Sequence, residues 1–154
     1  MPDELAHDSR NKINNILSKI EKVTGVAFTR PNPNTWIVDL ESGPIHIMSN
    51  GPWVTVASKV MNDVQGKNEG KFYRELLERN GRLNGLKISI ERNNVTFNSE
   101  HPSSEVTPKT IVNDLILHHN GHKTHFEQMV KRADNLGLKW RRSASTPKLG
   151  PPKK

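Results

Sequence analysis

Residues 72–98 read FYRELLERNGRLNGLKISIERNNVTFN, and this stretch decides the fold. Phe72, Tyr73, Leu76 and Leu77 recur at helical spacing, which predicts a helix burying all four side chains. Asn80-Gly81 should stop that helix, because glycine enters the left-handed conformation cheaply. Glu75 with Arg79 and Glu78 with Arg82 sit one turn apart, as solvent-side ion pairs do. Residues 86–91 and 95–98 then alternate apolar and polar, and Arg92-Asn93-Asn94 supplies a tight turn between them. Ile88, Ile90, Val95 and Phe97 should share the inward face of this hairpin.

Downstream, Thr107-Pro108 marks the start of a last helix, since proline at the first helical position forfeits no hydrogen bond. The helical pattern runs over 111–136, with Asn120-Gly121 a potential break or kink. Upstream, Ile13, Ile16, Leu17, Ile20 and Val23 form the stripe of a first amphipathic helix, capped by Asp8 or Ser9 and ended by Gly25. Extended runs follow at 26–30, 35–41, 44–49 and 53–57, separated by turn-forming residues. Their connections are too short for helical crossovers, so the sheet should be antiparallel. The expected fold is α+β: helix, antiparallel β-meander, helix, β-hairpin, C-terminal helix.

A chain of 154 residues accommodates one domain plus an extension, here residues 1–138 and a basic disordered tail over 139–154. Only 32% of the residues are hydrophobic and 5% aromatic, a lean composition that favours self-association. The formal charge is +7, but from Lys139 onward there are six cations and no acid. Removing those six from the 23 basic residues leaves a body almost balanced against its 16 acidic ones. The opening Met1-Pro2-Asp3-Glu4-Leu5 lacks the basic and apolar runs of an export signal, no apolar segment is long enough to span a membrane, and there is no cysteine. These features lead to the expectation of a cytoplasmic protein without disulfides or thiol chemistry.

The element order, together with Leu76-Leu77-x-x-Asn80, the hairpin from Ile88 to Phe97 and Thr107-Pro108 before the last helix, resembles the YbjN family, whose fold is similar to that of type III secretion chaperones. The resemblance covers most of residues 10–138. It implies an α+β domain, often dimeric, that binds proteins rather than transforming small molecules. It carries no catalytic residues.

Strand alternation puts Trp36, Val38 and Leu40 on one face and Ile37, Asp39 and Glu41 on the other, with Ile45 and Ile47 likewise opposed to His46 and Met48. Ile37 and Met48 on the minor face, with Trp53 beside them, are the candidate protein-contact residues. Lys139, Arg141, Arg142, Lys148, Lys153 and Lys154 are the candidates for an alternative role, association with nucleic acid or an anionic surface through the tail. His118, His119, His122 and His125 form the densest group of potential metal ligands, with His118, His122 and His125 within one arc of a helix, but His119 and His122 also continue the apolar stripe of Leu115, Phe126, Met129 and Ala133. Structural roles are expected for them, with no metal site. Gly66-Lys67-Asn68-Glu69-Gly70-Lys71 lacks the spacing and the hydroxyl residue of a phosphate loop, and no nucleophile elbow occurs. The reading is a non-enzymatic protein-binding domain, chaperone-like or regulatory, acting as a homodimer without a cofactor.

Overall fold

The computed structural model describes residues 2–142, with side chains from Asp8 onward. Helix α1 (Pro2–Thr24) leads into strands β1 (Thr29–Asn32), β2 (Thr35–Leu40), β3 (Gly43–Ser49) and β4 (Trp53–Gln65). Helix α2 (Glu69–Arg79) and a 3-10 turn follow, then the hairpin β5 (Lys87–Glu91) and β6 (Asn94–Pro102), a second 3-10 turn, helix α3 (Pro108–Asn135) and strand β7 (Lys139–Arg142). The seven strands form one antiparallel sheet ordered β1-β2-β3-β4-β6-β5, with β7 on the remaining edge of β4. This is the expected α+β layout, with one strand more than the sequence foretold.

All three helices cover the same face of the sheet. Trp36, Ile47 and Val56 lie side by side on that face, and in the next row Val38, Ile45, Ser58, Phe97 and Ile88 follow one another across the strands. Above them the apolar side chains divide into two clusters. One joins α1 (Ile13, Ile16, Leu17, Ile20) to the β2–β4 face and to Ile111 and Leu115 of α3. The other joins Phe72 and Leu76 of α2 to the far half of β4, the β5–β6 hairpin, and Met129 and Ala133 of α3. Burial of these apolar side chains is the main favourable term for the fold.

Several local expectations change. Helix α1 starts at Pro2, so Asp8 and Ser9 do not cap it. Ser9 instead lies buried within the helix, hydrogen-bonded to Ser49 at 2.9 Å and donating to Ser103 at 3.1 Å. Val23 is 86% exposed and Leu77 of α2 is 50% exposed; the residues that α2 packs inward are Phe72 and Leu76, with Tyr73 partly buried beside them. Glu75 pairs with Arg132 of α3 through two 2.7 Å bonds, and Glu78 pairs with Arg74 at 3.4 Å. The α2–α3 packing thus supplies Glu75 with a bidentate guanidinium, better geometry than its own helix offers.

Strand β1 begins three residues later than expected and tolerates Pro31 because it is a sheet edge. Strand β4 runs on past Ala57 to Gln65 through an irregularity between Lys59 and Met61 and a positive φ at Asp63, which together mask its alternation. Helix α3 is continuous through Asn120-Gly121. There the glycine is a packing residue: a β-carbon would come within 2.5 Å of Leu86 Cδ1, so its absence lets the helix approach the hairpin closely. Lys139 to Arg142 form a strand rather than the start of a tail, because Leu138 and Trp140 have apolar neighbours to pack against. Lys148, Lys153 and Lys154 lie outside the described residues.

Candidate protein-binding surface and interior polar layer

With the helices on one side, the opposite face of the sheet is uncovered. Across it Ile37, His46, Ala57, Asn98 and Lys87 stand in one row. Thr35, Met48, Thr55 and Glu100 form the adjacent row. Trp53, at the start of β4, has the same strand parity as Thr55 and Ala57 and is 45% exposed. The three residues singled out from sequence therefore share one face: Ile37 and Met48 are half-buried and Trp53 is at its margin.

This face holds a cavity of about 860 Å³ whose lining includes Met48, Ala57, Lys59, Lys87, Asn98 and Glu100. The small side chain of Ala57 in the middle row deepens the hollow. Burial, helped by the Lys59 ammonium and opposed by Asp39, holds the His46 imidazole below its ordinary pKa, which favours the neutral ring. The hollow mixes both signs of charge, from Lys59, Lys87, Glu91 and Glu100, with apolar and amide groups.

On the covered face the two apolar clusters are separated by a polar layer that sequence reading missed. Ser58 of β4 lies 2.8 Å from His118 Nδ1, and Ser99 of β6 lies 3.0 Å from His118 Nε2. Ser99 donates its hydroxyl proton to Asp114 Oδ2 at 3.1 Å, and His101 Nε2 meets the same oxygen at 2.5 Å. Because the only proton of Ser99 goes to Asp114, Ser99 must accept from Nε2–H of His118. Nδ1 is then the acceptor for the Ser58 hydroxyl. His118 is 1% exposed, and burial pushes its pKa down to about 4 against the raising effect of the Val56 backbone. In a hydrolytic triad the carboxylate holds the imidazole directly; here Ser99 stands between them and the ring is sealed from solvent. The arrangement holds a neutral imidazole with both nitrogens satisfied. Two signals for it lay in the sequence: serines at inward strand positions, and Asp114 one turn before His118.

The four histidines of α3 go to separate surroundings. His122 stacks on Phe126 with ring centroids 4.4 Å apart, and His125 meets Phe97 edge-on at 6.5 Å. His119 lines an apolar hollow with Ile20, Leu40 and Ile116. Burial lowers the pKa of both His122 and His125, aided by the nearby cations Arg142 and Arg79 respectively. Among the described residues no three His, Cys, Asp or Glu side chains are grouped to hold a metal ion.

The basic residues at the end of the chain are partly committed within the fold. Arg141 Nε donates to Asp63 Oδ2 at 2.6 Å, and the Arg142 guanidinium lies 4.9 Å from the centre of the Phe126 ring. Lys139 is exposed. No helix among the described residues is long and apolar enough to cross a membrane. No protein-family model matches the chain, and no curated protein matches it in sequence.

Proposed function

We propose that this chain is a non-enzymatic protein-binding domain of the YbjN and secretion-chaperone kind, chaperone-like or regulatory, that works as a homodimer and takes its partner on the uncovered sheet face. The observation that carries the reading is one-sided coverage: three helices lie over one face, while the other presents a hollow of about 860 Å³ bordered by Met48. Apolar side chains left on a sheet face beside polar ones offer contact area to a partner without making the free protein insoluble. The element order supports the same family reading, and the closed hydrogen bonding around His118 supports a structural use of the one Ser-His-Asp constellation described above.

The test places a photo-crosslinking amino acid at Met48 or Trp53 and, as a control, at Lys22 on the helical side, in cells that naturally produce the protein. A defined protein captured from Met48 and Trp53 but not from Lys22 is the expected result. Equal capture at all three positions would sink the sheet-face assignment. Light scattering at high protein concentration checks the dimer separately: a strictly monomeric mass removes that part of the proposal.

A further inference from the structure

Strand β3 stops pairing with β4 at Ser58, and the edge of β4 beyond it is filled by β7, with Met61 opposite Arg142, Asn62 opposite Arg141 and Gln65 opposite Lys139. Only four residues long and irregular in register, β7 owes its place to a few side-chain contacts. Leu138 plugs the second apolar cluster against Gly66, where a β-carbon would come within 2.6 Å of it. Trp140 packs edge-on against Phe126 at 5.8 Å, Arg142 covers the same ring, and Arg141 pairs with Asp63. The strand is connected to α3 by just Leu136, Gly137 and Leu138. Gly137 has φ +71, and its amide bonds Asp134 while that of Leu138 bonds Ala133, closing the helix end.

From this geometry we infer that the Met61–Gln65 edge of β4 is a strand-acceptor site, filled by β7 of the same chain in the monomer and by β7 of a second copy in an exchanged dimer. The occupant is fixed by what already sits there. Every contact that holds β7 in place is re-formed when the strand comes from another copy, so exchange costs only the ordering of two chains and the change at the hinge. That change is small at Gly137, since glycine takes left-handed and right-handed backbone about equally well. Carrying α3 straight on through Gly137 would project β7 away from its own β4. A short connection of this kind is the usual seat of such exchange. The inference does not depend on the sheet-face reading, because the acceptor edge and the hollow involve different groups of β4.

The experiment uses full-length chains, and the lack of native cysteine makes it clean. Gln65→Cys protein and Lys139→Cys protein are mixed at high concentration, incubated and oxidised; both positions are exposed and paired across β4 and β7. A disulfide-linked heterodimer should form about tenfold faster than in a control mixture of Gln65→Cys with Lys22→Cys, the contrast expected when two sites are held together rather than meeting at random. Adding Gly137→Ala to both chains should raise the exchanged fraction roughly tenfold, because a β-carbon penalises the left-handed hinge of the monomer. Placing both cysteines in one chain and oxidising it before mixing should abolish exchange. Heterodimer at the control rate, or no response to Gly137→Ala, overturns the inference. If a dimer forms on the uncovered sheet face instead, it survives the intrachain disulfide, so the two modes are told apart.

Discussion

The side-chain amide of Asn80 pairs with both backbone groups of Ile88, donating from Nδ2 to the carbonyl at 3.0 Å and accepting the amide proton on Oδ1 at 2.6 Å. Asn80 thus behaves as one extra peptide unit on the outer edge of β5, the last strand of the sheet. It both ends α2 and closes part of an edge that would otherwise be open to another chain. The asparagine of the Leu76-Leu77-x-x-Asn80 pattern therefore has a mechanical job.

Asn80→Asp keeps the acceptor but sets a carboxylate against the Ile88 carbonyl. It should destabilise the protein by about 1–3 kcal/mol, the cost of leaving such a partner unmatched. Urea denaturation should show a lower midpoint with an unchanged slope. A midpoint equal to that of the parent would mean that the paired amide contributes nothing.

Acid should weaken the fold through His118. Its folded pKa, about 4, lies below the ordinary value of 6.5, so the unfolded chain binds the proton more readily. The stabilisation is complete above about pH 6.5 and is lost as pH falls through that value toward 4, with a full span of about 3 kcal/mol. Three half-buried imidazoles, His46, His122 and His125, are shifted the same way and add to the slope. Melting temperatures measured from pH 7.5 to 4 should fall more steeply for the parent than for His118→Gln. Parallel curves would remove His118 as the cause.

Two tryptophans should differ sharply in their response to truncation. Trp36 is 2% exposed inside the first apolar cluster and donates its indole N–H to Asn14 at 3.3 Å, so Trp36→Ala should cost about 3–5 kcal/mol. Trp53→Ala, on the margin of the uncovered face, should stay within about 0.5 kcal/mol of the parent. Guanidinium titration followed by far-UV circular dichroism measures both, and a large loss at Trp53 would show that this side chain supports the fold rather than a contact surface.

The Glu75–Arg132 pair holds α2 to α3, and its hydrogen bonds keep the Glu75 carboxyl below the usual carboxylate range. Glu75→Gln should lower the melting temperature, and the difference from the parent should shrink in about 1 M salt, where charges are screened within about 3 Å. A salt-independent difference would point to lost hydrogen-bond shape instead of charge.

Much of this architecture can be read from local patterns. The end of α1 at Gly25 with its positive φ, the Thr107-Pro108 start of α3 and the Arg92-Asn93 turn with its positive φ values all express short-range chemistry, whereas α2 ends without a left-handed glycine, passing through right-handed Asn80 into a 3-10 turn. The longer β4, the strand β7 and the exposure of Val23 and Leu77 do not, because each depends on what lies across the fold. The same applies to the polar layer. Ser58 and Ser99 look like ordinary interruptions of strand alternation until α3 brings His118 between them, and no spacing rule links residues 58, 99 and 118. For the uncovered face, alternation was enough to put Ile37 and Met48 on one side, but the hollow there is lined by residues of β3, β4, β5 and β6 together, which no local pattern reports.

The layer of Ser58, His118, Ser99 and Asp114 also acts as an alignment key. A 28-residue helix lying on a sheet through a mostly aliphatic stripe could slide by one turn, about 5.4 Å, and find comparable apolar contacts. Such a slip would take His118 and Asp114 away from Ser58, Ser99 and His101, at the cost of burying polar groups without partners. The polar layer therefore does less for total stability than for uniqueness: it leaves α3 one seating on the sheet, and with it one position for Gly121 over Leu86 and one exit point for the chain that follows.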